Sequence, residues 1–148
     1  MRLAALAPLV AALAAAPALA DIEQTTATGS VAEVMDRLES AVTEAGATVF
    51  ARVDHGAGAA DVEMSLAPAE LLIFGNPRLG TPAMQADILA GLHLPLKMLV
   101  YTDSEGATRI AWIEPEALFD DLEIDDDAQY VEKMEDALAS FAEAAAAG

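Results

Sequence analysis

The stretch that most limits what this chain can fold into is Glu70 to Gln85, ELLIFGNPRLGTPAMQ. A four-residue apolar run, Leu71 to Phe74, stops at Gly75-Asn76-Pro77. Short apolar runs bounded by Gly and Pro read as buried strands. Thr81-Pro82 then has the form of a helix start, because a Thr hydroxyl accepts from orphan backbone N–H groups and Pro fits the first helical position. A buried strand, a polar loop and a capped helix within sixteen residues require a sheet with helices packed on it.

The flanking segments supply the other layers. Ser30-Val31-Ala32-Glu33 is a capping box, in which hydroxyl and carboxylate each satisfy a free backbone N–H. Val31, Val34, Met35, Leu38, Ala41 and Val42 follow at helical spacing, and Gly46 sits where a left-handed residue ends a helix. A helix is therefore expected over 31–45. Ile22 to Thr28 reads as an edge strand. Ala47 to Val53 reads as a second strand with Val49, Ala51 and Val53 on one face. Leu96 to Thr102, the turn Asp103-Ser104-Glu105-Gly106 and Thr108 to Ile113 read as a hairpin. A short helix is expected over 116–122. A longer one is expected over 129–146, with Val131, Met134, Leu138, Phe141 and Ala145 as its apolar stripe. The fold class is α+β: a two-layer sandwich of a mixed five-stranded sheet with helices mainly on one face.

The mixed sheet hinges on the connector between the second and third strands. It is about a dozen residues long, enough for a right-handed crossover between parallel neighbours. Parallel pairing would bring Asp54-His55 and Asn76 to one carboxyl edge, the usual ligand edge of such sheets. Antiparallel pairing would send them apart.

The N-terminus has a separate character. Arg2, the apolar run Leu3 to Leu13 and Ala18-Leu19-Ala20 before Asp21 have the pattern of a cleaved signal peptide. The expected division is a signal peptide over 1–20 and one domain over 21–148, periplasmic or secreted and with no membrane span after processing. Zero Cys excludes disulfides, thiolate metal sites, a Cys nucleophile and an acylated anchor. The formal charge of −18 becomes −19 without Arg2. Such a surface repels phosphate backbones and excludes nucleic acid as a partner.

Several constellations bear on chemistry. Gly75 to Thr81 has the spacing of a phosphate loop, but Thr81 stands where that loop needs Lys, and Pro82 removes an amide donor. Nucleotide binding is excluded on those departures, although a helix start at Thr81 beside Arg78 could hold a small anion. Asp54-His55 can serve as proton carrier or metal ligand only with further partners. His93 lies off the Leu92, Leu94, Leu96 alternation and is expected to face solvent or a partner. Met64, Met84 and Met98 suit copper by chemistry but core packing by pattern. Asp121 to Glu132 falls near calcium-loop spacing, yet Asp126 replaces the required Gly. No Ser lies in a nucleophile setting.

Three blocks, DHGAGAA at 54–60, ELLIFGNPRLGTPAMQ at 70–85 and LHLPLKMLVYTD at 92–103, resemble the family called domain of unknown function 302. The resemblance runs over 22–141. It implies a small exported α+β domain that pairs as a dimer, and it implies no reaction. The functional expectation is a ligand-binding module with Asp54, His55, Asn76, Arg78, Thr81 and Gln85 lining the site, taking a small molecule or a cation. The alternatives are a homodimeric interaction domain using an uncovered sheet face, and a metal-binding or acid–base enzyme using His55. Neither a cofactor nor a reaction is specified by the sequence.

Overall fold

The computed structural model describes residues 22–148; the signal segment expected over 1–20 lies outside them. The elements are β1 (Ile22–Ala27), α1 (Val31–Glu44), β2 (Thr48–Asp54), α2 (His55–Asp61), β3 (Ala69–Gly75), α3 (Pro77–Ala86), a 3₁₀ turn (Ile88–Leu92), β4 (Leu96–Thr102), β5 (Thr108–Ile113), α4 (Pro115–Phe119) and α5 (Gln129–Ala146). The strands form one open sheet in the order β1-β5-β4-β3-β2.

Every neighbouring pair is antiparallel. The α+β sandwich with five strands stands, and its mixed character is corrected. The connector between β2 and β3 forms the short helix α2, which closes a wide hairpin instead of crossing over the sheet.

Strand alternation divides the sheet into two faces. Leu72, Phe74, Met98, Val100 and Ile110 point to one face and are 0–2% exposed. They form the core together with Val34, Met35, Leu38 and Val42 of α1 and Val131, Met134, Leu138 and Phe141 of α5. The α1 capping box forms as the sequence requires: Ser30 accepts from Glu33 N–H and the Glu33 carboxylate accepts from Ser30 N–H. The Ser30 backbone and hydroxyl donors hold the Glu33 carboxyl below its ordinary range. Gly46 takes φ +77° after the helix, a conformation that favours glycine. Burying each large aliphatic side chain of this kind contributes about 1.5–3 kcal/mol, so the facing stripes of α1 and α5 hold the layer to the sheet.

β2 departs from simple alternation. Its register with β3 shifts between Val49 and Ala51, so Phe50 is the extra residue of a β-bulge. Val49 therefore packs toward the helices, whereas Ala51 and Val53 face the opposite side, and the single face expected for all three is corrected. The bulge also turns Arg52 toward α1. There it donates to Glu70 Oε2 and Asp36 Oδ1, with Glu39 3.4 Å away. The Glu70 hydrogen bond, followed by that of Asp36, raises the Arg52 pKa. Arg52→Ala would leave the Glu70 carboxylate, only 13% exposed, without its cation. With Arg52 itself 29% exposed, water screens part of the loss. The expected destabilisation is about 1–2 kcal/mol, read from urea denaturation.

A second electrostatic feature lies where α4 meets α5. Burial, then the nearby Glu114 carboxylate, holds the Glu135 carboxyl above its ordinary range. A carboxyl raised on folding favours the native state below its unfolded pKa, and that advantage disappears as pH rises through the folded pKa. Glu135→Gln is therefore expected to be more stable than wild type at pH 7, by less than about 1 kcal/mol. The gap should close toward pH 4, which urea denaturation at the two pH values will show.

Candidate ligand pocket at the end of β3

Beyond the carboxyl end of β3 the chain turns into α3, and the turn is built by an Asn-Pro pair. Asn76 is extended and its side-chain oxygen accepts from Arg78 N–H at 3.0 Å, which places Pro77 at the first helical position. The helix start expected at Thr81-Pro82 is thus corrected: Thr81 and Pro82 lie inside α3, and Asn76 is the cap. Pro82 has no N–H for the carbonyl four residues back, which belongs to the exposed Arg78. The helix ends at Ala86, because Asp87 is extended and its carboxylate caps the 3₁₀ turn through Leu89 N–H at 2.9 Å.

A cavity of about 300 Å³ opens between these segments. Its walls are Gly75 to Pro77 of the turn, Leu79 to Thr81 and Met84 of α3, Gly91 of the 3₁₀ turn, Leu94 to Leu96, and Phe50 of the bulge. Met134 of α5 also lines it and is 1% exposed, so the pocket reaches the core. At its outer side Phe50 is 59% exposed. Three glycines create the space. A side-chain carbon on Gly75 would lie 3.4 Å from the Phe50 ring, one on Gly80 would meet Leu94 at 3.5 Å, and one on Gly91 would meet the Met84 sulfur at 3.4 Å. These are ordinary contacts, so the positions lack side chains without being sterically obliged to.

None of the lining residues is ionisable. Asn76 and Thr81 contribute the polar side chains. The Asn76 oxygen is occupied by the cap, and among the described residues its amide nitrogen donates to no protein atom.

The residues expected to form one site divide into three groups. Asn76 and Thr81 line the cavity. Arg78 and Gln85 belong to α3 but are exposed and lie outside the lining. Asp54 and His55 are at the other end of the β2–β3 ladder, where Asp54 pairs with Glu70 while Gly75 pairs with Thr48. Six residues of strand separate those ends by about 20 Å. The shared edge expected from parallel pairing is therefore corrected. Asp54 is the cap of α2, accepting from Ala57 N–H at 2.8 Å, and His55 is its exposed first residue. His93, expected to face solvent or a partner, instead packs edge-on against Phe119 with ring centroids 6.4 Å apart. Met64 is 69% exposed on the connector, Met98 is buried in the core and Met84 lines the cavity. Among the described residues no group of three or more His, Cys, Asp or Glu is arranged to hold a metal ion. No helix among them is long and apolar enough to cross a membrane.

An antiparallel α+β sandwich with an apolar pocket beside its third strand is the class that these observations define. The chain belongs to the family described as domain of unknown function DUF302, which matches residues 22–142. The crystal structure of an uncharacterized conserved DUF302 protein from Bacillus stearothermophilus is similar in fold, with a TM-score of 0.77 at 20% identity over 85% of this chain and 98% of that one. Among curated proteins, the chain is 43% identical over 86 residues to fluoride-specific ion channel FluC 1 of Brucella suis and to FluC 2 of Brucella melitensis. That stretch is 58% of this chain, and 34% and 32% of those two proteins. The chain thus spans about a third of the length of these relatives.

Proposed function

We propose that the domain is a binding module for a small molecule seated in the pocket beyond β3. The observation that carries this reading is the cavity itself: about 300 Å³ with an apolar lining and Met134 of the core helix at its inner end. Ligand sites have this character, concave and mostly apolar with a few placed polar groups, and this one is at the small end of their range. The pattern of Arg2, Leu3 to Leu13 and Ala18-Leu19-Ala20 supports a periplasmic or secreted setting for the module. The test is a ligand-detected NMR screen of a fragment library against the wild type and Gly80→Leu, which fills the cavity. Hits lost in the variant support the reading. A screen in which every hit survives contradicts it.

A second reading, pairing with another copy of the chain, is favoured by a different observation. The sheet face opposite the core carries Val53, Leu71, Ile73, Leu99 and Ile113, with Lys97 and Arg109 as its charged strand positions. In a chain with 25 acidic residues, no strand position on this face is Asp or Glu. Arg109 is held by Asp103 in the neighbouring turn. Two such acidic chains repel elsewhere and can approach where carboxylates are missing. Five strands about 4.8 Å apart and about 20 Å long present roughly 500 Å² per copy. A face-to-face pair buries about 1,000 Å², the lower bound of a specific interface. Leu99 lies on the central strand β4. Leu99→Glu is expected to convert a dimer to a folded monomer with at least a hundredfold weaker association, as measured by light scattering. A wild type that is monomeric at all concentrations contradicts this reading.

A further inference from the structure

The pocket's chemistry narrows what it can hold, and this step rests on the pocket being the binding site. We infer that its ligand is uncharged and largely apolar, about the size of a substituted single ring, with one hydrogen-bond acceptor directed at Asn76.

Size comes first. A cavity of about 150 Å³ lined by aliphatic and aromatic side chains accommodates benzene. The volume of about 300 Å³ here admits a ligand of about ten non-hydrogen atoms. Charge comes second. No lining residue is ionisable, although 22% of the chain is charged. A carboxylate, phosphate or ammonium entering this pocket would lose water and gain no counter-ion, a loss that apolar contacts of this size do not offset. Arg78 flanks the turn but is exposed and outside the lining, so it supplies no buried partner for an anion.

Polarity comes third. The Asn76 oxygen is committed to the helix cap, which leaves its amide N–H donors for a ligand. Thr81, about one turn further along α3, is the second polar residue of the lining. Phe50 then provides a cover. It is an exposed aromatic side chain on the extra residue of a bulge, with its ring near Gly75 at the pocket's edge. A ring stacked against it would remove apolar surface from water on both partners.

Three probes of nearly equal shape separate these points at pH 7: acetophenone, benzoate and benzylamine. Each is titrated into the full folded domain while the amide signals of Gly75, Gly80 and Gly91 are followed by NMR. Acetophenone is expected to shift all three glycines and to bind at least tenfold more tightly than either ion. Phe50→Ala, at an exposed position, should weaken acetophenone about tenfold. Gly58→Ala, with open space around its added carbon, should leave it unchanged. If benzoate or benzylamine shifts the same glycines as strongly, the uncharged class is wrong while the pocket remains the site. If none of the three probes moves them, the class is wrong as well, and the fragment screen on Gly80→Leu then decides whether the pocket reading survives.

Discussion

Phe74→Ala is expected to destabilise the domain by about 4 kcal/mol, a large fraction of the roughly 5–15 kcal/mol that holds a typical domain folded. Phe74 is 2% exposed at the end of β3 and meets Phe141 of α5 edge-on, with centroids 5.7 Å apart. Truncation removes the transfer energy of the ring, leaves a cavity between sheet and helix, and deletes the aromatic pair. It also loosens α5, the helix that contributes Met134 to the pocket. Urea denaturation followed by circular dichroism should show a lower midpoint with an unchanged slope. Phe74→Leu, which keeps most of the volume, should lose about 1–2 kcal/mol. A loss below about 1 kcal/mol for the Ala variant would mean that β3 and α5 are not joined through this pair.

Gly80→Leu is expected to separate folding from binding. Gly80 is inside α3 at an ordinary backbone angle, and glycine in a helix interior costs about 1 kcal/mol relative to a good helix former. An added Cβ meets only Leu94 within 4 Å, at 3.5 Å, so the remaining carbons of the side chain enter the cavity. The melting temperature should hold or rise by about 3 °C. Binding of any ligand to the pocket should fall at least a hundredfold. A variant that folds and binds as the wild type does would place the site elsewhere. Binding is lost while stability is kept or gained, whereas a damaged fold would lower both.

Much of the architecture can be read from residue pattern. The Ser30–Glu33 capping box and the stripe from Val31 to Val42 define α1 to within a residue. The Val131 to Ala145 stripe defines α5, and the turn at Asp103 to Gly106 defines the β4–β5 hairpin. Sequence pattern fails where two local signals compete. Asn76-Pro77 and Thr81-Pro82 are both cap-and-proline pairs, and local chemistry does not choose between them. The chain uses the first, which lets Ala83 reach the core, and tolerates the proline inside the helix. Pairing direction is equally silent. A connector of that length serves a crossover or a wide hairpin, and only the tertiary register of β2 against β3 decides.

The pocket depends on both of these features: the cap at Asn76 and the antiparallel, bulged pairing of β2 with β3. Asn76 and Thr81 were legible as site residues because they sit in a polar loop after a buried strand. Asp54 and His55 would join them only if β2 and β3 ran parallel, and they run antiparallel. Phe50 gave no signal, because a bulge leaves the residue sequence of an ordinary strand unchanged. Met84, Leu94 and Met134 read as core positions, which is what the inner wall of an apolar cavity resembles. The three glycines carried a usable hint: Gly75, Gly80 and Gly91 all have negative φ, so no turn requires them, and their common property is the space they leave.

The most direct measurement is amide-shift mapping by NMR with the tightest hit of the fragment screen at saturation. The pocket account predicts shifts clustered at Gly75, Asn76, Gly80, Met84 and Gly91, with His55 and Leu71 unmoved. Shifts centred on Asp54 and His55, or on Leu71 and Leu99 of the open sheet face, would contradict it.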